Sequence, residues 1–400
     1  MKLLTFSTLY PSAQMPSHGI FVETRLRHLV GSGQVTSRVV APVPWFPFKA
    51  ERFGEYARFA TTPKDEMRHG LAVSHPRFIR LPKVGMSSAP YTLAWTALRA
   101  ARALQRAGED FDLIDAHYFY PDGVAAAMVA KALGKPLVIT ARGTDINLIP
   151  AYSFPRKLIL RAAAQADAMV TVCAALKDEL VHLGADAAKI HVLRNGVDLT
   201  LFHPGGRDAA RTALGLAPGR FTLASVGHLI ERKGHELVIA ALAELPDVDL
   251  LIAGAGPEEA ALRRRAAELG VTDRVRFLGP LPQSRLREVY VGADALVLAS
   301  SREGWANVLL EAMACGTPVA ASNVWGTPEV VASPEAGELM LQRTAAGVAA
   351  AVRALRAAPR DRTATRRYAE QFSWEATTQG QIDLFQRVLA ARGVPEFRHA

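Results

Sequence analysis

Three features of the chain predict the fold class α/β, with two doubly wound parallel sheets in separate domains. Its 400 residues are long for one hydrophobic core and sufficient for two. Short apolar runs alternate with segments of helical period along most of the length, the pattern of repeated β-α-β units. The alternation breaks at the turn-forming stretch Asn195-Gly196-Val197-Asp198 and resumes at Phe221. Bounds of 1–198 and 199–372 follow, with a closing helix over Ser373–Arg392.

In the first half, Lys2–Ser7 reads as a buried strand, followed by a polar loop Thr8–His18, Gly19 and a helix Ile20–Val30. A strand that enters a Gly-containing loop and then a helix has the geometry of a phosphate cradle, which makes Gly19 a candidate. Thr36–Ala41 is the second strand. From Pro42 to Pro90 the pattern is irregular and Pro-rich, with one short strand near Leu71–Ser74. Trp45, Phe46 and Phe48 lie here among basic residues, either as an acceptor- or membrane-facing surface or packed inward as a β-arm. Pro90–Gly108 reads as a helix whose Arg99, Arg102 and Arg106 share one face. The strand Leu113–His117 ends on His117, at the edge where parallel sheets bind ligands, and the strand 136–140 delivers Arg142 and Asp145 to that edge. Strands Ala168–Val172 and Ile190–Leu193 alternate with helices Phe154–Ala166 and Ala174–Leu183.

The second half opens with the strand Phe221–Val226 and a loop carrying His228, Arg232 and Lys233 ahead of a helix His235–Leu245. Basic groups at a strand–helix junction suit a diphosphate. The most informative stretch is Ala295–Ser322. Ala295–Ala299 and Pro318–Ala321 read as buried strands around a helix Val308–Ala314, with Asn307 placed to cap it and Gly316 and Pro318 to stop it. Glu303 lies in the connecting loop and Glu311 one turn into the helix. Helical side chains lean toward the N-terminus, so Glu311 reaches back to the loop mouth. Carboxylates offer only acceptors and suit the vicinal diol of a ribose or hexose. The helix start with Gly304 and Asn307 suits a phosphate. Diol and phosphate together describe a nucleotide sugar, although two glutamates alone are as readily solvated surface charges.

The segment SSREGWANVLLEAMACGTPVAAS, with its spaced glutamates and Gly-Thr-Pro turn, resembles the donor-site signature of retaining glycosyltransferases of the GT-B fold, family 4. LRNGVDLTLFHP resembles that family's hinge, and FSWEATTQG the start of its last helix. The resemblance implies two Rossmann-like domains facing across a cleft. Residues 1–198 would bind acceptor, with 373–400 packing back on them, and 199–372 would bind the donor. It places Glu311 on the nucleotide ribose, Glu303 and His117 by the donor hexose, Lys233 and Arg232 on the diphosphate, and the amides near Gly19 on the same oxygens. Arg142-Gly143-Thr144-Asp145 stands where the family often has a His-Gly-x-Asp segment, on the acceptor side. His228 stands where the family has an Arg, so either it or Arg232 supplies that phosphate contact. The implied activity moves a hexose from a UDP- or GDP-sugar to a glycan or lipid-linked acceptor, in polysaccharide or glycolipid synthesis, without metal or other cofactor. A nucleotide-sugar epimerase of the same fold and a non-catalytic basic binding module are the rival readings.

Charge is uneven: residues 1–198 carry 24 Lys+Arg against 16 Asp+Glu, and residues 199–400 carry 23 against 22. The first half therefore suits an anionic partner such as a membrane surface or a lipid-diphosphate acceptor, unless the charge serves solubility alone. Nucleic acid is not expected. No apolar run approaches membrane-spanning length, and the start MKLLTFSTLYPS is too weakly apolar for a signal peptide, which points to a cytoplasmic protein, peripheral on the membrane if attached. Cys173 and Cys315 are expected to be buried free thiols. No His/Cys/Asp spacing suggests a metal, and Asp110-x-Asp112 and Asp247-x-Asp249 read as incidental.

Overall fold

The computed structural model describes residues 1–80 and 85–393. The chain divides into two compact units, Met1–Arg194 with Glu375–Ala400, and Asn195–Trp374.

The first unit contains β1 (Lys2–Phe6), β2 (Thr36–Val40), β3 (Val43–Pro44), β4 (Asp65–Arg68), β5 (Leu71–Ser74), β6 (Arg77–Phe78), β7 (Leu113–His117), β8 (Leu137–Ala141), β9 (Ala168–Thr171) and β10 (Ile190–Val192). Eight of these form one sheet in the order β10-β9-β8-β7-β1-β2-β5-β4, and β3 pairs with β6 separately. β7 and β8 are buried at every position, as expected of central parallel strands covered on both faces. One face packs Leu3, Leu113, Val138 and Val170 against Ile382, Phe385 and Leu389 of the closing helix Trp374–Ala391. The chain thus returns to its first unit to complete that core.

Of the stretch 42–90, the described residues 42–80 and 85–90 are more ordered than the sequence pattern predicts, and residues 81–84 lie outside the described ones. Besides β5 it holds β3, β4, β6 and a helix Glu55–Thr61. β4 pairs antiparallel with β5 through the two-residue turn His69-Gly70, both at positive φ (48° and 78°), which matches the twist of a tight hairpin. The sequence Asp-Glu-Met-Arg of β4 has little strand propensity, and its pairing comes from the turn and from Arg68, whose Nε donates to the buried Glu23 at 2.7 Å. The long helix begins at Gly85 rather than Pro90. Pro90 has no N–H for the Met86 carbonyl, and the Tyr120 hydroxyl donates to that carbonyl instead.

The second unit contains β11 (Phe221–Val226), β12 (Val248–Ala253), β13 (Val275–Gly279), β14 (Ala295–Leu298), β15 (Val319–Ser322) and β16 (Gly337–Met340), all parallel, in the order β13-β12-β11-β14-β15-β16. Its core joins Leu223, Leu250 and Val297 of the sheet to Val238, Leu262, Val348 and Val352 of the flanking helices. Both cysteines are buried and neither forms a disulfide. Asp110, Asp247 and Asp249 pair with Lys135, Arg356 and Arg220, and Asp112 accepts the Lys2 amide, so these aspartates brace the surface. The helix after β14 starts at Asn307, with Ala306 in the cap position and no side-chain capping bond. Asn307 is therefore not the cap its sequence position suggests: its Oδ1 accepts from Asn195 Nδ2 at 3.3 Å.

Candidate functional site

In the second unit the strand order reverses between β11 and β14, which leaves a crevice at their carboxyl ends where open α/β sheets bind ligands. Lys233 ends a short 3-10 turn, Glu231–Lys233, after β11, and Glu303 lies in the loop after β14. Two glycines let these loops approach. A Cβ on Gly234, at φ 70°, would stand 2.1 Å from the Ala299 carbonyl oxygen. One on Gly254, at φ 150°, would stand 1.9 Å from that of Gly227. The Ser301 amide donates to the Arg232 carbonyl at 2.8 Å and stitches the two loops together.

Glu303 is 7% exposed. Its Oε1 accepts from Lys233 Nζ at 2.6 Å and from Ser300 Oγ at 2.6 Å, and Arg232 lies 3.6 Å from Oε2. Burial alone would raise its pKa, but the charge and hydrogen bond of Lys233, with Ser300 and Arg232, hold it below the ordinary carboxylate range. Glu303 is therefore an anion that fixes a cation. The Lys233 ammonium has three donors, only one of which is spent on Glu303. Arg232 also donates to the Arg302 carbonyl at 2.7 Å. Such a rigid cationic pair is suited to stabilising charge on an anionic group that enters the crevice.

Glu311, on the helix Asn307–Ala314, accepts from the Tyr290 hydroxyl at 2.8 Å. Burial pushes its carboxyl up to about 7, against the bonds from Tyr290 and Gln283. Gly304 is buried in the loop, and His228 is exposed after β11. Trp305 donates its indole N–H to the Asn195 carbonyl at 3.0 Å and packs against Phe372.

The first unit has its own reversal, between β1 and β7. His117 ends β7 and is buried. Arg142 donates to its Nδ1 at 2.5 Å, so the ring proton sits on Nε2, which donates to Asp115 at 3.1 Å. Burial lowers the His117 pKa and holds the ring neutral. Burial and the nearby Arg25 charge bring Arg142 down to about 9. Asp145 accepts from the amides of Phe119 and Gly143, each at 2.7 Å, and of Arg142, and so pins the loops after β7 and β8. Asp115 is also reached by Gln381 at 3.3 Å, whose Oε1 accepts from Arg25 at 2.5 Å. At Gly19, φ 67°, a Cβ would stand 2.2 Å from the Leu9 carbonyl oxygen, which by itself requires glycine there.

Arg232, Lys233 and Glu303 thus form one bonded group in the second unit, while Glu311 is held separately by the preceding helix. In the first unit His117 and Arg142 bond directly, with Asp145 holding the Arg142 backbone; Gly19 lies apart from them in sequence, in the loop after β1. Ser300, Tyr290 and Gln283, and Asp115 with Gln381, are supporting residues absent from the sequence reading. Tyr290 lies between Val289 and Val291 on a helix, Gln283–Gly292, whose earlier residues are mostly polar, and a buried tyrosine hydroxyl needs a partner.

Residues 206–372 match the family model of glycosyl transferases group 1, and residues 38–201 match that of glycosyltransferase family 4. The D-inositol 3-phosphate glycosyltransferase of Rhodococcus opacus is 34% identical over 301 residues, 69% of this chain and 67% of that protein. That of Mycobacteroides abscessus is 33% identical over 304 residues, 72% and 68% of the two chains. Among solved structures, sucrose-phosphate synthase from Thermosynechococcus elongatus aligns with a TM-score of 0.79 at 22% identity, covering 98% of this chain and 100% of that one. Anabaena HepE in complex with UDP-glucose aligns with a TM-score of 0.74 at 21% identity, covering 97% and 100%. At such identities the structural likeness speaks for the fold. With family models matched on both halves and relatives a third identical over two thirds of their length, the chain belongs to the family 4 glycosyltransferases of the GT-B fold.

Proposed function

We propose that the protein transfers a hexose from a UDP- or GDP-sugar, with retention of configuration, to a hydroxyl of a glycan or lipid-linked acceptor. The observation that carries the proposal is the Lys233–Glu303 pair at the strand-order reversal of the second unit, with Arg232 beside it. Lys233 and Arg232 meet the donor diphosphate, and Glu311 accepts from a ribose hydroxyl. Glu303 orients Lys233 through Oε1 and offers Oε2 to a hexose hydroxyl. As the bond from the sugar's anomeric carbon to the diphosphate breaks, the charge left on the diphosphate falls on the two cations. The acceptor oxygen bonds to the anomeric carbon from the same face, and its proton goes to the departing phosphate oxygen. No metal and no cofactor enters this scheme. The first unit, with His117, Arg142 and Asp145, serves the acceptor and the donor sugar, at the cytoplasmic face of a membrane when the acceptor is lipid-linked.

A second acceptor class has specific support. Two relatives that cover about two thirds of their length are named for transfer to D-inositol 3-phosphate, so a small phosphorylated polyol is the alternative acceptor. The test is incubation of the full chain with a panel of nucleotide sugars and, in separate arms, oligosaccharide, polyprenyl-phosphate and inositol-phosphate acceptors. Released nucleoside diphosphate and the anomeric proton coupling of the product are read. Transfer with retained configuration is expected. Interconversion of the nucleotide sugar without acceptor refutes the proposal in favour of an epimerase.

A further inference from the structure

The helix Gly85–Arg106 buries Leu93, Ala94, Ala97 and Ala101 on one side. Its outer face is sorted along the axis. Tyr91 and Trp95 are 49% and 61% exposed, and Arg99, Arg102 and Arg106 follow on the same stripe, also exposed. The Arg99 guanidinium lies 4.7 Å from the centre of the Trp95 ring, where the two halves meet. At 1.5 Å per residue the apolar part of the stripe extends roughly 6 Å and the basic part roughly 10 Å. The apolar end is enlarged by the neighbouring β-arm: the Trp45 amide donates to the Phe78 carbonyl at 2.7 Å, and the Thr96 hydroxyl ties the Arg77 carbonyl to the helix at 3.4 Å. Trp45 and Ile79 are both exposed there. From Met67 to Gly108 the chain carries seven Lys or Arg and not one Asp or Glu.

We propose that this helix face and the adjoining arm dock the protein on an anionic phospholipid surface, with the apolar end in the outer acyl region and the three arginines on lipid phosphates. The inference rests on the membrane-facing part of the proposed function, not on the donor chemistry. A single-stranded nucleic acid would call for rings interleaved with cations along a groove. Along the helix stripe the rings precede the cations, with a Trp–Arg contact at the boundary. That is the order of depths in a lipid interface, where aromatic rings sit at headgroup level and basic groups meet phosphate. The absence of acidic residues from Met67 to Gly108, which holds the helix and Ile79 but not Trp45, supplies the charge complementarity.

The full chain is sedimented with vesicles of phosphatidylcholine alone and of phosphatidylcholine with phosphatidylglycerol, at low and physiological salt, and UDP and GDP binding is measured without vesicles. Binding to the mixed vesicles only, weakened by salt, is expected. Replacing Arg99, Arg102 and Arg106 with Gln should lower vesicle binding about fivefold per residue, roughly a hundredfold in all, and leave UDP binding unchanged. Replacing both Trp45 and Trp95 with Phe should keep vesicle binding but remove most of the tryptophan quenching by brominated lipid. Equal binding to both vesicle types, a triple variant that binds like the wild type, or quenching that survives replacement of both Trp45 and Trp95 overturns the proposal. So does capture of a single-stranded oligonucleotide at physiological salt without vesicle binding. Vesicle binding as expected in a protein that binds neither UDP nor GDP supports the docking surface and refutes the donor site.

Discussion

Removing the Lys233 ammonium tests whether the donor-site cation is held in place before any ligand arrives. In Lys233→Ala the buried Glu303 carboxylate keeps only Ser300 at 2.6 Å and Arg232 at 3.6 Å. Breaking a buried ion pair on one side costs about 3–5 kcal/mol, and the partners that stay offset part of this, which leaves a loss of about 2–3 kcal/mol. Glu303→Gln keeps an oxygen that accepts from Lys233 and should cost less, about 1–2 kcal/mol. With both replaced no charge is stranded, so the double variant should lose less than the sum of the singles, with a coupling of about 1–2 kcal/mol. The pH dependence has a definite sign. In the wild type the Glu303 pKa is held low, so its stabilisation is present at neutral pH and is lost as pH falls through the lowered folded value. In Lys233→Ala burial dominates and raises the pKa, so the gap between variant and wild type should narrow as the solution is acidified. Urea denaturation of the four proteins, with attention to the transition of the Asn195–Trp374 unit, reads the cycle. A coupling below about 0.5 kcal/mol would refute the buried pair as an energetic unit.

Other consequences can be checked separately. With the Glu311 carboxyl raised from 4.5 to about 7, nucleotide affinity should rise with pH through about 7 as its acceptor form appears, and the rise should vanish in Glu311→Gln. Tyr290→Phe removes the donor to Glu311, so the same calorimetric profile should shift its inflection further upward. Phe385, fully buried between the closing helix and the first unit's sheet, should cost about 3–5 kcal/mol when cut to Ala, seen as earlier melting of that unit. Chelation with EDTA should leave hexosyl transfer unchanged, and loss of activity restored by a divalent cation would contradict the metal-free scheme.

Much of the fold was legible because parallel strands buried on both faces leave uninterrupted apolar runs, as at β8 and β14. The irregular arm was not. β4 is written in polar residues, and its partner is fixed by a two-residue turn and by Arg68 crossing to Glu23, a contact between residues far apart in sequence. Asn307 looked like a cap because it precedes an apolar helix, yet Asn195, brought close only by folding, engages its side chain. The candidate site follows the same division. Arg232 and Lys233 stood out as basic groups at a strand–helix junction that suit a diphosphate, and Glu303 through the donor-site signature its segment resembles. The groups that tune them, Ser300 for Glu303 and Tyr290 for Glu311, are ordinary residues whose roles appear only in three dimensions. His117 carried a functional expectation, and the structure adds that both its ring nitrogens are bonded, to Arg142 and Asp115.

Calorimetric titration of the full chain with UDP and with GDP, in parallel with Glu311→Gln, tests the donor site most directly. One of the two nucleotides should bind the wild type, and the Gln variant should bind it about ten- to a hundredfold more weakly, as expected for a charge-assisted bond of about 1.5–3 kcal/mol to a ribose hydroxyl. Equal affinity in the two proteins, or no binding of either nucleotide by the wild type, would contradict the assignment of the second unit's crevice as the donor site.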